Sequence, residues 1–130
     1  MVQYKLSNAK ELWREIAFHY GENYSLDKEI AKITQKAEWI DGELTAFALT
    51  INDAPSIAIF NYSHEGYSFL ELKEGERGQF VSVELDDYLF IYIDEHYEGE
   101  DVTIHSETGG SYTLNALEQK GQLIVKIIHN

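Results

Sequence analysis

The sequence predicts an α+β fold in which two N-terminal helices pack on one face of a curved, mainly antiparallel meander sheet of about 6–8 strands. Within the first 40 residues, apolar side chains recur at intervals of three and four, the period of a helix with one buried face. From residue 43 onward, short β-rich runs alternate with turn residues. Because the connections between these runs are too short for crossover helices, neighbouring strands are expected to pair antiparallel.

The first predicted helix begins after Ser7 or Asn8, either of which can act as an N-cap. Asn8 is followed three residues later by Glu11, a capping-box arrangement. Gly21 is suited to the position just after the last helical residue. The buried stripe of this helix would comprise Leu12, Trp13, Ile16, Ala17 and Tyr20.

The second predicted helix begins after Ser25 and ends at Asp41-Gly42. An alternative interpretation ends it near Gln35 and makes Asp41-Gly42 a hairpin turn between two strands. We favour the longer helix, because its apolar residues step by four, three, four and three. They are Leu26, Ile30, Ile33, Ala37 and Ile40.

Eight candidate strands follow, each bounded by turn-forming residues. The run Tyr88–Ile93 does not alternate in polarity, which predicts a central strand that is covered on both faces. Its odd-numbered residues would face the helices, and Tyr88, Phe90 and Tyr92 would form an aromatic stripe on the opposite face. The candidate strands are Leu44–Ile51, Ser56–Tyr62, Tyr67–Leu72, Phe80–Leu85, Tyr88–Ile93, Val102–Ser106, Tyr112–Leu117 and Leu123–Ile128.

The composition is that of one folded domain spanning residues 1–130. Hydrophobic residues make up 44% of the chain and aromatic residues 13%, too much for a disordered acidic tail. The absence of cysteine excludes disulfides and thiolate metal sites, and fits a reducing compartment. No apolar run approaches the ~20 residues of a membrane span, and the first residues lack the features of a signal peptide. We therefore predict a single-domain cytoplasmic protein without a membrane partner.

The charge is distributed unevenly along the chain. Residues 1–40 contain six acids and six bases, whereas residues 41–130 contain 17 acids and four bases. The net charge of −13 therefore arises entirely from the second part. A field of one sign repels nucleic acid and attracts cationic partners. Direct nucleic-acid binding is not expected, because neutralising phosphates requires clustered Lys and Arg.

No sequence motif indicates catalysis or a cofactor, so we predict that the protein is not an enzyme. There is no nucleophile elbow and no cysteine. The turn at residues 75–78 lacks the Lys-Ser/Thr of a phosphate-binding loop. Five carboxylates fall within residues 94–101, but their spacing does not match a calcium-binding loop. We predict no dedicated metal site.

These properties favour a small acidic protein that neutralises a basic protein partner. In its size, acidity and lack of cysteine, the chain resembles the immunity proteins of bacterial toxin systems, a resemblance of type that rests on no shared motif. It implies an antitoxin that covers the positively charged active-site groove of a toxin such as a nuclease. Carboxylates would steer the encounter, and tyrosines would add buried area. The predicted partner-binding residues are Asp86, Asp87, Tyr88, Asp94, Glu95, Tyr97, Glu98, Glu100 and Asp101.

Two alternatives remain open. One is a small-molecule-binding domain or minor enzyme with a pocket between the sheet and the helices. The other is an acidic nucleic-acid mimic, which would space its carboxylates regularly, whereas the acids here cluster in predicted loops.

Overall fold

The computed structural model describes the backbone of residues 33–63, 66–107 and 109–128, and their side chains except those of residues 62, 63 and 66–69. The described part contains nine strands and a single helical turn. In order these are β1 (Ile33–Asp41), β2 (Leu44–Ile51), β3 (Ala54–Ser63), β4 (Gly66–Glu74), β5 (Phe80–Leu85), β6 (Tyr88–Ile93), β7 (Asp101–His105), β8 (Ser111–Asn115), α1 (Ala116–Gln119) and β9 (Leu123–Ile127).

The strands form three antiparallel sheets stacked as layers. Sheet A has the order β1-β2-β3-β4, sheet B has the order β5-β6-β9, and sheet C is the β7-β8 hairpin. One hydrophobic cluster joins β2 and β3 of sheet A to β5 and β6 of sheet B. A second cluster joins the opposite face of β6 to sheet C and α1. Sheet B is therefore the middle layer.

The predicted α+β class is wrong, because the described part is almost entirely β and has no helix longer than one turn. The second predicted helix fails at residues 33–41, which form β1. Residues of β1 are half-buried and exposed in alternation, the period of a strand. Trp39 occupies a buried-side position, while Ile40, which the helix would bury, is 58% exposed. The first predicted helix, and residues 26–32 of the second, lie outside the described residues.

The hairpin turns explain why this region pairs as strands. Asp41 pairs with Leu44, and Gly42 takes a φ of 61°, which suits the first loop position of a type II′ turn. Asn52 and Asp53 connect β2 to β3 with φ values of 51° and 69°, as a type I′ turn requires. The rejected alternative, a hairpin turn at Asp41-Gly42, is therefore the arrangement that the structure contains.

The predicted strands from residue 44 onward are largely confirmed, but the single meander sheet is not. Leu44–Ile51, Phe80–Leu85 and Tyr88–Ile93 have the predicted bounds. The strand predicted as Tyr112–Leu117 ends at Asn115, whose side chain accepts a hydrogen bond from the Glu118 amide and so starts α1. Consecutive pairing also breaks after β4, after β6 and after β8, where the chain passes to another sheet.

Strand β6 is central, as predicted, but sheets rather than helices cover it. It pairs with β5 on one side and with β9 on the other. Phe90 and Tyr92 pack toward sheet A, and Leu89, Ile91 and Ile93 pack toward sheet C. These five side chains are at most 2% exposed. Separately, no helix in the described residues is long and apolar enough to cross a membrane.

Candidate functional site

Strand β6 divides the nine predicted partner-binding residues into two groups. Asp86, Asp87 and Tyr88 lie at the start of the strand, and residues 94–101 follow its end. Six residues of strand span roughly 20 Å at about 3.3 Å per residue. The predicted residues therefore do not form one continuous patch. We call the first group the turn patch and residues 94–101 the acidic loop.

The turn patch combines two exposed carboxylates with an anchored aromatic ring. Asp86 and Asp87 are exposed in the β5–β6 turn. The Tyr88 hydroxyl donates a hydrogen bond to Oδ2 of Asp41, and its ring lies 4.9 Å from that of Trp39. That hydrogen bond, burial, and the charges of Asp41 and Asp87 raise the pKa of the Tyr88 phenol. Tyr88 is thus engaged by its own chain.

The acidic loop holds its outer carboxylates on a fixed backbone. The Tyr97 amide donates to the Asp94 carbonyl at 3.0 Å, and the Ala116 amide donates to the Glu100 carbonyl at 2.8 Å. The Tyr97 ring lies edge-on to Phe80, with their centroids 6.3 Å apart. The exposed carboxylates of Glu98, Glu100 and Asp101 form no ion pair with a described residue. They are available to an external cation.

Asp94 lies in a different environment from the rest of the loop. It is only 1% exposed. Its Oδ2 accepts a hydrogen bond from the Gly78 amide at 2.9 Å, and its own amide donates to the Gln79 carbonyl at 3.0 Å. The carboxylate therefore fastens the β4–β5 connection to the end of β6 rather than facing solvent with Glu98 and Glu100.

Asp94 also lines a charged cavity at this end of the molecule. The cavity has a volume of about 340 Å³. Nζ of Lys36 lies 3.4 Å from Oε1 of Glu95, and the Arg77 guanidinium lies 3.9 Å from the Asp53 carboxylate. The lining residues are Lys36, Thr50, Asp53, Arg77, Asp94, Glu95 and His96.

The sequence analysis predicted two of the residues that line this cavity, Asp94 and Glu95, as site residues, and it did not predict the other five. Lys36 is the extra residue of a bulge in β1, Thr50 ends the inward-facing series of β2, and Arg77 lies between β4 and β5. Lys36 and Thr50 lie on paired strands of sheet A, and they meet Asp94 and Glu95 because sheet A packs on sheet B. The sole local signal was the Asn52-Asp53 turn, which places Asp53 at this edge.

Tyr92 carries a buried hydroxyl two residues before Asp94, but it lies in the core and does not line the cavity. The residue is 0% exposed, and its hydroxyl has no hydrogen-bond partner among the described residues. Burial, followed by the charges of Asp94 and Glu95, raises the pKa of this phenol to about 12. Tyr92 belongs to the core between sheets A and B, so the aromatic stripe predicted on the face opposite the helices is covered by sheet A.

Nothing in the described part of the chain brings together three His, Asp or Glu side chains in a way that would hold a metal ion. Comparison of the chain with protein-family models, with curated proteins and with solved structures finds no match.

Proposed function

We propose that the protein binds a basic protein partner through the acidic loop, as a cytoplasmic immunity (antitoxin-type) protein that inhibits a toxin such as a nuclease. The observation that carries this proposal is the set of exposed carboxylates at Glu98, Glu100 and Asp101, which lie on a fixed loop and form no ion pair with a described residue. A positively charged active-site groove would complement this surface, and covering the groove would block its substrate.

The acidic loop is a better partner surface than the turn patch. Around Glu98, Glu100 and Asp101, α1 adds the exposed Glu118, and its first amide is bonded to the loop backbone. Tyr97 supplies an aromatic ring that packs on Phe80 and is already held in place. A preorganised loop loses little conformational entropy on binding, so more of its electrostatic attraction appears as affinity.

Reversing the charge of the loop is expected to slow association with the partner. In the variant Glu98→Lys, Glu100→Lys, Asp101→Lys, we expect the association rate constant at ~0.05 M salt to fall about 10–100-fold, because steering by opposite charges is lost. Raising the salt to ~0.5 M should narrow this difference, since screening shortens the range of the field. The partner would first be isolated by pull-down with a tagged protein and salt elution, and the rates measured by surface plasmon resonance.

A matched control distinguishes the effect of the loop charges on the association rate from the effect of the net charge of the protein. The variant Glu38→Lys, Glu43→Lys, Glu107→Lys reverses three exposed acids elsewhere and changes the net charge by the same amount. It should retain most of the association rate. Equal slowing in both variants, with folding intact, would show that net charge rather than the loop governs the encounter. Recovery of no basic partner at low salt would remove the inhibitor proposal.

A further inference from the structure

Sheet B ends at β9, and the backbone of this strand offers hydrogen-bonding groups along its outer edge. We propose that this edge receives an extended segment of the basic partner, which adds a fourth strand to sheet B beside β9. This inference rests on the proposed function for the identity of the partner, and on the sheet edge alone for the mode of binding.

The ladder between β6 and β9 determines which backbone groups of β9 point outward. The Ile128 amide donates to the Asp87 carbonyl at 2.7 Å, and these two residues continue the register of the strands. Because hydrogen-bonded and non-hydrogen-bonded pairs alternate along an antiparallel ladder, Ile124 and Lys126 also bond to β6. The remaining residues of β9 direct their amides and carbonyls away from β6. They are Leu123, Val125 and Ile127.

The pairing of β6 with β5 leads to the same alternation independently. The Asp94 amide donates to the Gln79 carbonyl at 3.0 Å, so the even-numbered residues of β6 bond to β5 and the odd-numbered ones bond to β9. Those odd-numbered residues lie opposite the even-numbered residues of β9. Within the described ranges, no strand pairs with the outer edge of β9.

The edge of β9 lacks features that prevent a sheet edge from pairing. Bulges and charged side chains are common protections, and β1 at the edge of sheet A has a bulge at Lys36. Strand β9 keeps an unbroken register with β6 and carries one charge, that of Lys126. Leu123 and Val125 pack toward sheet A, and Ile124 packs toward sheet C. Since both faces of β9 are engaged, an added strand would extend the middle layer.

Exposed carboxylates at both ends of this edge favour a basic occupant. Asp86 and Asp87 are exposed at the end where β9 finishes. Glu118 is exposed at the other end, and its carbonyl accepts a hydrogen bond at 3.3 Å from the side chain immediately before β9. These acids form no ion pair with a described residue. They outnumber the bases of β9 and of the turn before it, which are Lys120 and Lys126.

A second copy of this chain fits the edge less well than a basic segment. Antiparallel pairing of two β9 strands would bring Asp87 of one copy close to Glu118 of the other, and each copy carries a net charge of −13. Juxtaposed like charges oppose association. A segment with apolar residues at its centre and Lys or Arg at both ends would combine main-chain hydrogen bonds with charge complementarity. One partner could then contact the turn patch and also reach the acidic loop.

The test uses a peptide and requires no isolated partner. The peptide KRVTVTVRK, with blocked termini, is added to the ¹⁵N-labelled protein, and amide hydrogen exchange along β9 is measured by NMR. In the unbound protein, the amides of Ile124 and Lys126 should exchange slowly, and those of Val125 and Ile127 should exchange fast because they point outward. Saturating peptide should slow exchange of the outward amides by about tenfold or more and leave the inward ones unchanged. The peptide EEVTVTVEE should give no protection.

A proline at position 127 blocks the edge while keeping the ladder to β6. The Ile127 amide points outward and its side chain is 61% exposed, and proline is tolerated at such positions of an edge strand. We expect Ile127→Pro to weaken binding of the basic peptide by about fivefold or more, because it removes an outward donor. Ile127→Ala is the matched control, since it shortens the same side chain but keeps the amide, and it should bind nearly as well as the parent. If Ile127→Pro does not fold, the exchange pattern of the parent still decides the question.

Three results would overturn the proposal. They are slow exchange of the outward amides in the unbound protein, an absence of protection by the basic peptide, and unchanged peptide affinity in a folded Ile127→Pro variant. Equal protection by the acidic peptide would overturn the assignment to a basic segment. A dimer in sedimentation experiments that Ile127→Pro dissociates would assign the edge to a second copy instead.

The same variant distinguishes this inference from the proposed function. If a basic partner from the pull-down binds Ile127→Pro as tightly as the parent, the inhibitor proposal is retained and the edge site is overturned. If the peptide protects the outward amides but the pull-down recovers no basic partner, the inhibitor role is refuted and the edge site is retained.

Discussion

Truncating a buried side chain on either face of β6 is expected to destabilise the protein strongly. Phe90 and Ile91 are each 0% exposed, and they point into different clusters, Phe90 toward sheet A and Ile91 toward sheet C. We expect Phe90→Ala to lower the free energy of unfolding by about 3–5 kcal/mol and Ile91→Ala by about 2–5 kcal/mol, since each removes apolar contacts and leaves a cavity. Urea denaturation followed by circular dichroism measures both losses.

The pair of variants tests the three-layer arrangement. If β6 had one solvated face, as in an ordinary two-layer fold, one of the two variants would cost little. Ile127→Ala, on the neighbouring strand, is the control, because Ile127 is 61% exposed and its loss should change stability by less than about 0.5 kcal/mol. If the alanine variants do not fold, Ile91→Val, expected to cost about 0.5–1.5 kcal/mol, keeps the measurement within range. If neither Ile91→Val nor Ile91→Ala lowers the free energy of unfolding, the packing of sheet C on sheet B is contradicted.

Stability is expected to fall in alkaline solution because of Tyr92. Its pKa is raised from 10.0 to about 12 in the folded protein, so between these values the unfolded chain loses a proton that the folded chain keeps. The contribution of the protonated Tyr92 phenol to the free energy of unfolding is fully present below pH 10 and disappears as the pH rises through 12. Two pH units correspond to about 2.7 kcal/mol. Because relaxation of the protein and water penetration around the ionised phenol reduce this effect, we expect a loss of about 1–2 kcal/mol.

The variant Tyr92→Phe isolates this contribution. At neutral pH it should be at least as stable as the parent, since it removes a buried hydroxyl that has no partner in the described part. Between pH 10 and 12, its free energy of unfolding should decline less steeply than that of the parent, as measured by urea denaturation at each pH. Tyr112→Phe, at a half-buried position, corrects for alkaline effects from the rest of the chain. Equal slopes in Tyr92→Phe and the parent would show that the phenol ionises without opposing folding.

Local patterns predicted the strands after residue 43 but could not classify β1. Ile33 and Ala37 are four apart, a spacing that places side chains on one face in a helix and in a strand alike. The two conformations differ in the next residue that they bury after Ala37: a helix would bury Ile40, and a strand buries Trp39. In the structure Trp39 packs against the core. Its ring lies 5.2 Å from that of Phe90, an attractive contact that involves a residue 51 positions further along the chain. A short window of sequence around β1 contains only one of the two residues that make this contact.

The acidic loop was predictable and the cavity was not, for a related reason. Charge density along the chain identifies exposed carboxylates such as Glu98 and Glu100 without any knowledge of the fold. Placing Lys36 beside Glu95 depends on how sheet A stacks on sheet B, which no local pattern encodes. The burial of Asp94 has the same origin, because the amide that it binds belongs to the connection between the two sheets.

The position of β9 in sheet B has a consequence for synthesis on the ribosome. The β5-β6 hairpin can form soon after residue 93 emerges, but the second partner of β6 begins only at residue 123. During this interval, the sequence YLFIYI presents an unpaired edge that is apolar and carries no charge. Such segments readily join strands of other chains. The nascent chain is therefore most vulnerable to aggregation during this window, and release of residues 123–127 removes the hazard.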